Sequence, residues 1–388
     1  MQNKSNSMQV PAGFKDLLPE DAWRKRRLED TLLTAFQSWG YKEVMTPVVE
    51  HYATLATEDG LSDEEIFKLI DRQGKILALR PDMTTPIARV TATRLNSEQL
   101  PLRLCYVANV FRHENLQMGR QREFYQGGVE LLGASGVMAD AETIALAAEA
   151  LLATGLEDFH IGIGHVAVLN SLLATLQVAD FIKDEIKGAI FNKDLVKLDE
   201  ILTKYNVAQS EREAAIALAS LRGGAEVLGK MRALGNGNAA FQDALTAIEE
   251  LLDVLNKYGI LKYCFLDFAI IRDFDYYTGV VFEGYAPGLG FPILGGGRYD
   301  NLLSKFGFDT TATGFAIGLE RLMIALKKQH KEEDYPILDY VVTGNDASTV
   351  IARAGALRSQ GYRVEVMVSP KDNIDLSSRA KEIIKVSY

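Results

Sequence analysis

The sequence predicts an α+β fold: an antiparallel sheet flanked by helices, interrupted by a helical insertion and followed by a small α/β unit. Three stretches carry that expectation. Residues 102–132 place two strand-like runs on either side of a polar loop, which predicts a hairpin. Residues 270–303, IIRDFDYYTGVVFEGYAPGLGFPILGGGRYDNLL, hold two further strand-like runs around a Pro/Gly turn. Residues 177–258 are helical in pattern, with Gly-rich breaks at LRGGAE and GNGN, and apolar strand-like residues resume directly after them at Tyr263–Ile271.

Taken in order, residues 1–8 read as a disordered tail. VPAGFKDLLPED (10–21) has turn chemistry and leads into a helix at 21–39, where Trp23, Leu28, Leu32, Phe36 and Trp39 recur at helical spacing and Gly40 stands at the expected C-cap. Tyr41 to Met45 is a short strand stopped by Pro47. Residues 65–79 read as a hairpin turning near Gly74. In RPDMTTPIARVTATRL (80–95), Asp82 and Thr84 precede a Pro suited to the first turn of a helix, so both lie at a strand-to-helix junction, where helix capping alone would also account for them.

A helix at 140–155, a strand at 159–164 and a helix at 166–176 lead to the insertion. Beyond it come strands at 279–285 and 291–295 and an amphipathic helix over 312–329 with Arg321 in its middle. A charged, Pro-ended linker, HKEEDYP (330–336), precedes strand 338–343, helix 347–360, strand 362–367 and a helix at about 375–386. That last unit, roughly 50 residues, is small for an independent domain and looks truncated. The expected division is therefore a core at 9–176 and 259–329, the insertion at 177–258, and the linker and α/β unit at 330–388.

Composition narrows the class. Apolar residues at 47% and charged residues at 24% suit a soluble globular protein. No apolar run reaches membrane-spanning length, and MQNKSNSMQ lacks the apolar stretch of a signal peptide, so a cytoplasmic protein with no membrane contact is expected. Cys105 and Cys264 sit in apolar runs and read as buried thiols. His51, His113, His160, His165 and His330 show no ligand spacing, so neither a metal nor another cofactor is expected. The net charge of −10 argues mildly against a large nucleic-acid surface.

The chemistry concentrates in NVFRHENLQMGRQREFYQGGVELLG (109–133). One strand delivers Arg112 and Glu114, a loop carries Arg120 and Arg122, and the return strand alternates Phe124, Gln126, Gly128 and Glu130 on one face. A guanidinium at one end forks onto a carboxylate or phosphate, while Glu130 accepts from a nitrogen donor, a pairing that suits a small zwitterion. The alternative for the same residues is an ordinary hairpin with a solvated loop. Gly295, Gly296 and Gly297 weaken a strand, so either something packs against their backbone or the sheet bends tightly there.

Together the 109–133 hairpin, RDFDYYTG…GGGRYD and GFAIGLERL resemble the class II aminoacyl-tRNA synthetase core, and more closely histidyl-tRNA synthetase, over about residues 10–328. FRHE…GRQREFYQ resembles the second class motif and GLERL the third, while DYYTGVVFE with GGGRYD resembles the histidine-specific signature. The resemblance implies a histidine pocket. In it Asp82 and Thr84, assisted by Gln126, hold the α-amino group; Glu130 and Tyr277, with Tyr276 beside them, face the imidazole; Arg272 meets the carboxylate. Arg112 and Arg321 match the ATP-phosphate arginines, so Arg112, Glu114 and Arg321 mark a vestigial ATP site.

Two departures stand out. Asp82-Met83-Thr84 replaces the Glu-Gly-Thr general in the synthetase, which is expected to reshape the substrate end of the pocket, and the C-terminal unit is about half the length of an anticodon-binding domain. LRPDMTTPIAR and RQREFYQGGVELLG are instead similar to a paralogous family, the regulatory subunits of ATP phosphoribosyltransferase. That resemblance implies a non-catalytic chain, dimeric through its synthetase-like core. It would join the short-form catalytic subunit in a hetero-octamer, raise its activity in the first step of histidine biosynthesis and convey feedback inhibition by histidine, with tRNA binding not expected. Two other readings stay open: a true histidyl-tRNA synthetase with a degenerate C-terminal domain, since Arg112, Arg272 and Arg321 all remain, and a free-standing histidine-binding protein.

Overall fold

Regular structure begins with the helix Pro19–Ser38, whose Pro and early acids Glu20 and Asp21 suit the first turn and the positive end of the helix dipole. Leu32, Ala35 and Phe36 form its buried apolar face, and Gly40, at φ +82°, supplies the left-handed residue that lets the chain turn away. The computed structural model describes residues 9–56, 63–113, 121–235, 237–270, 276–368 and 379–386. The chain divides into two units, 1–332 and 333–388.

In the first unit the strands in chain order are β1 (Lys42–Glu43), β2 (Val49–His51), β3 (Lys68–Ile70), β4 (Ile76–Leu79), β5 (Leu102–Phe111), β6 (Glu123–Leu132), β7 (His160–His165), β8 (Arg222–Gly223), β9 (Cys264–Asp267), β10 (Val280–Tyr285), β11 (Leu294–Arg298) and β12 (Ala312–Gly318). Nine of them build one sheet in the order β1-β5-β6-β12-β11-β10-β7-β9-β8. Its pairings are antiparallel apart from β1 with β5 and β7 with β9. The α+β expectation of a large, mostly antiparallel sheet flanked by helices therefore describes the architecture. The remaining strands form a small antiparallel sheet, β2-β4-β3, whose β3–β4 turn is tied by the Asp71 carboxylate accepting from the Gln73 and Lys75 amides, each at 2.8 Å.

One face of the large sheet carries the main core. Phe282, Phe315 and Ile317 point there and meet Phe36, with the Phe36 and Phe315 rings edge-to-face at 5.8 Å. The helix Val137–Ala153 is mostly buried against this side. The opposite face carries a smaller cluster of Met83, Ile87, Tyr106, Tyr276, Tyr299 and Leu302, with the helix Thr84–Arg94 beside it.

Residues 180–257 form five helices, Asp180–Phe191, Leu195–Lys204, Gln209–Ser220, Glu226–Leu234 and Ala239–Lys257. They are tied to the sheet by β8 pairing with β9 and by Asp267, 2% exposed, which accepts from Lys193 Nζ at 3.0 Å and Arg222 Nε at 2.9 Å.

The second unit holds β13 (Leu338–Gly344), the helix Ala347–Ser359, β14 (Val364–Val368) and β15 (Ala380–Val386), with both outer strands parallel to β13. Asp346 caps the helix through the Thr349 amide at 2.8 Å.

Two expectations need correction. Residues 312–318 are strand, not the start of a helix over 312–329; the helix is only Leu319–Lys328. β12 is central, buried on both faces and joined to the helix without a loop, so its apolar run carries no period that separates strand from helix. The helix expected at about 375–386 is likewise wrong where it is described: 380–386 pair with β13, so tertiary pairing overrides the local pattern. Residues 375–378 lie outside the described residues.

Arg298, at the end of β11, is pinned to the helix Val137–Ala153 by Asp140 (Nε–Oδ1 2.9 Å, Nη2–Oδ1 2.8 Å), with both side chains 9% exposed. Removing one partner of such a pair strands a buried charge. Arg298→Ala is expected to cost about 3–5 kcal/mol in urea unfolding. A loss under about 1 kcal/mol would show that water or a neighbouring group compensates Asp140.

Candidate functional site

The register of the sheet explains why the second face is hollow. Paired residues directly opposite one another share a face. Leu104, Glu130, Gly314 and Gly297 make one row across β5, β6, β12 and β11, and Tyr106, Gly128, Ala316 and Gly295 make the next. Five of these eight side chains are absent or a single methyl, so the rows leave a trough in the sheet surface. The neighbours use the space: the Tyr277 ring lies against Gly297, at 2.8 Å from where a Cβ would stand, and the Tyr106 hydroxyl lies over Gly128, at 2.6 Å from such a position. Something does pack on the glycine backbone, and it is aromatic.

What remains is a recess of about 390 Å³, part of it open to solvent. Its lining includes Asp82, Thr84, Arg112, Gln126, Glu130, Tyr276 and Tyr277, together with Tyr106 and Tyr299. Seven of the site residues expected from the sequence thus converge on one cavity.

Glu130 sits at the centre, 2% exposed. Thr84 donates its hydroxyl to Glu130 Oε1 at 2.9 Å, and the Tyr299 hydroxyl donates to Oε2. Burial pushes the carboxyl up to about 8 against the opposing pull of those two hydroxyls, and the charge of Asp82 adds to the rise. The same burial holds the Tyr106 and Tyr299 hydroxyls well above their ordinary value. Asp82 turns one oxygen back to the Thr85 amide at 3.3 Å, the helix-capping role open to it from sequence, while its carboxylate still lines the recess. Gln126 Oε1 is buried with no hydrogen-bond partner among the described residues, an acceptor left for a ligand. Arg112 supplies the cation, its Nε donating to the Pro81 carbonyl at 2.9 Å and its guanidinium lying over the Phe124 ring at 5.6 Å.

The remaining expected residues fall elsewhere. Met83 is outside the lining: its side chain, 1% exposed, belongs to the core cluster that contains Tyr106, Tyr276 and Tyr299. Thr84, which lines the recess, directs its hydroxyl to Glu130. Arg321 is also outside the lining; its Nη1 donates to the Pro292 carbonyl at 2.8 Å and its guanidinium lies over Phe291 at 5.3 Å. Glu114 and Arg272 lie outside the described residues. Tyr106 and Tyr299 join the lining in addition to the residues expected from the sequence. Tyr299 follows the triple glycine in GGGRYD, a signal that was available; Tyr106 reaches the site through its register opposite Gly128, which no local pattern reveals.

Comparison with known proteins places this geometry in context. The family model described as histidyl-tRNA synthetase matches residues 13–322. An ATP phosphoribosyltransferase regulatory subunit of Moorella thermoacetica is 46% identical over 377 residues, spanning 96% of this chain and 95% of that protein. One of Desulforamulus reducens is 45% identical over 354 residues, spanning 91% and 88%. Among solved structures, an ATP phosphoribosyltransferase regulatory subunit/histidyl-tRNA synthetase from Bacillus halodurans superposes with a TM-score of 0.88 at 35% identity, covering 97% of this chain and 98% of that one. Histidyl-tRNA synthetase from Nostoc superposes with a TM-score of 0.81 at 25% identity, covering 96% and 88%.

The buried carboxyl gives a stability signature. A folded-state pKa near 8, above the ordinary carboxyl value of about 4.3, means folding favours the protonated form. Its contribution is full below the ordinary value and is lost as pH rises through 8. Glu130→Gln cannot titrate, so the wild-type protein is expected to lose stability relative to this variant between pH 5 and pH 8, at up to about 1.4 kcal/mol per pH unit. Urea unfolding at both pH values reads the difference, and curves that stay parallel would refute the buried, proton-hungry carboxyl.

Proposed function

The chain belongs to the histidyl-tRNA synthetase family and, within it, to the ATP phosphoribosyltransferase regulatory subunits, and from that premise we propose that it is the non-catalytic, histidine-sensing subunit of that transferase. The observation that carries the reading is the recess itself: an aromatic-walled cavity with a buried carboxyl at its centre and an arginine in its lining. Histidine offers an ammonium, a carboxylate and two ring nitrogens. Glu130 takes a ring nitrogen, with Tyr276, Tyr277 and Tyr299 around the ring. Asp82 and Gln126 accept from the ammonium, and Arg112 with Arg272 takes the carboxylate.

In this reading the partner is the short-form catalytic subunit, with four chains of each kind in a hetero-octamer and this chain dimerising through its synthetase-like core. Histidine acts by linkage: it binds one global state of the complex better than the other and biases the catalytic partner by that difference.

The test is phosphoribosyl transfer by a short-form catalytic subunit, alone, with this chain, and with histidine added. A rise in rate on adding the chain, reversed by histidine, is the expected result. If a matched partner shows no change while the chain alone supports histidine-dependent ATP–pyrophosphate exchange, the synthetase reading replaces this one.

A further inference from the structure

The Glu130 carboxyl is buried and carries no ion-pair partner among the described residues. Its two contacts are hydroxyls, Thr84 from the start of the helix Thr84–Arg94 and Tyr299 from the end of β11. The groups around it come from every neighbouring element. Asp82 stands on the helix side, Tyr106 on β5, Tyr276 and Tyr277 before β10, and Gly314 directly opposite on β12. Arg112 is the cation of the described lining, with its Nε bonded to Pro81, and Tyr41 also feels the Glu130 charge. Among the described residues, acids and hydroxyls therefore surround Glu130 and no cation pairs with it. A lone buried carboxylate is costly, so Glu130 favours its protonated form, and a ligand that arrives with a basic nitrogen can take that proton and become the countercharge.

We propose that the recess binds histidine with its ring as the imidazolium, formed inside the site by proton transfer from Glu130. The O–H bond of the carboxyl breaks and an N–H bond forms on the ring nitrogen facing it, with nothing lost to solvent. The product is an ion pair shielded from water, with Thr84 and Tyr299 still donating to the carboxylate oxygens. The free ring is neutral above about pH 6.5, and burial holds the Glu130 proton up to about 8. Between those values one proton is present before and after binding, so affinity is flat. Below that window the free ring is already charged and a proton must be expelled; above it one must be captured. Affinity falls on both sides, approaching tenfold per pH unit.

This inference rests on histidine being the ligand, and its test separates the two. Histidine labelled with ¹⁵N in the ring is bound to the full-length wild-type protein at pH 7.2 and its ring nitrogens are read by NMR. Calorimetry in phosphate and in Tris at the same pH counts protons exchanged with buffer. The expected result is a ring with both nitrogens protonated and no net exchange. A bound ring with one bare nitrogen would overturn the proposal while leaving histidine as the ligand, whether the Glu130 proton stays on the carboxyl, with no net exchange, or is lost to buffer, with about one proton released. Absence of binding in either experiment would overturn both.

Discussion

A carboxyl group buried in a trough of missing side chains is the constraint around which this site is built. Gly314 and Gly128 flank Glu130 at the positions where side chains would otherwise fill the sheet surface. The carboxylate can lie against bare backbone only because the register puts Gly314 directly opposite it. Burial then raises its proton affinity, and the two hydroxyls that hold its oxygens fix its direction. In the proposed reading, the ligand meets the buried Glu130 carboxyl in one place and Arg112 in another, which suits a small zwitterion.

The walls of the recess depend in turn on interactions that never touch a ligand. Tyr299 keeps its reach to Glu130 because Arg298 beside it is clamped to Asp140 and because the Tyr299 amide bonds the Ala312 carbonyl at 2.8 Å. Asp300 accepts from the Thr278 hydroxyl at 3.2 Å and the Ala312 amide at 3.1 Å, which ties β12 to the segment carrying Tyr276 and Tyr277. Aromatic packing completes the wall, with Tyr276 against Tyr277 at 4.9 Å and against Tyr299 at 5.6 Å. At the far edge of the sheet, Asp267 joins the helices of 180–257 to β9 through Lys193 and Arg222, so a buried acid with two partly exposed cations ties those helices to the sheet.

Much of this was legible in the chain before any coordinates. Period-two alternation put Gln126 and Glu130 on one face, and the strand-to-helix junction put Asp82 and Thr84 at a loop end. What local pattern could not supply was register. The opposition of Glu130 to Gly314, of Tyr106 to Gly128, and the bond from Thr84 to Glu130 all join residues far apart in sequence. Met83 illustrates the same limit: its neighbours in sequence line the recess while its own side chain turns into the core. The misread helix at 312–318 has a different cause, since a strand buried on both faces carries no period that distinguishes it.

The most direct measurement is calorimetric titration of histidine into the wild-type protein and into Glu130→Ala. The account predicts binding by the first and none detectable by the second, with the variant still folded and still associated with the catalytic partner, because truncation leaves the ring donor and the Thr84 and Tyr299 hydroxyls without their acceptor at about 1–3 kcal/mol or more. Equal affinity in the two proteins would contradict it and would move the histidine site away from the recess.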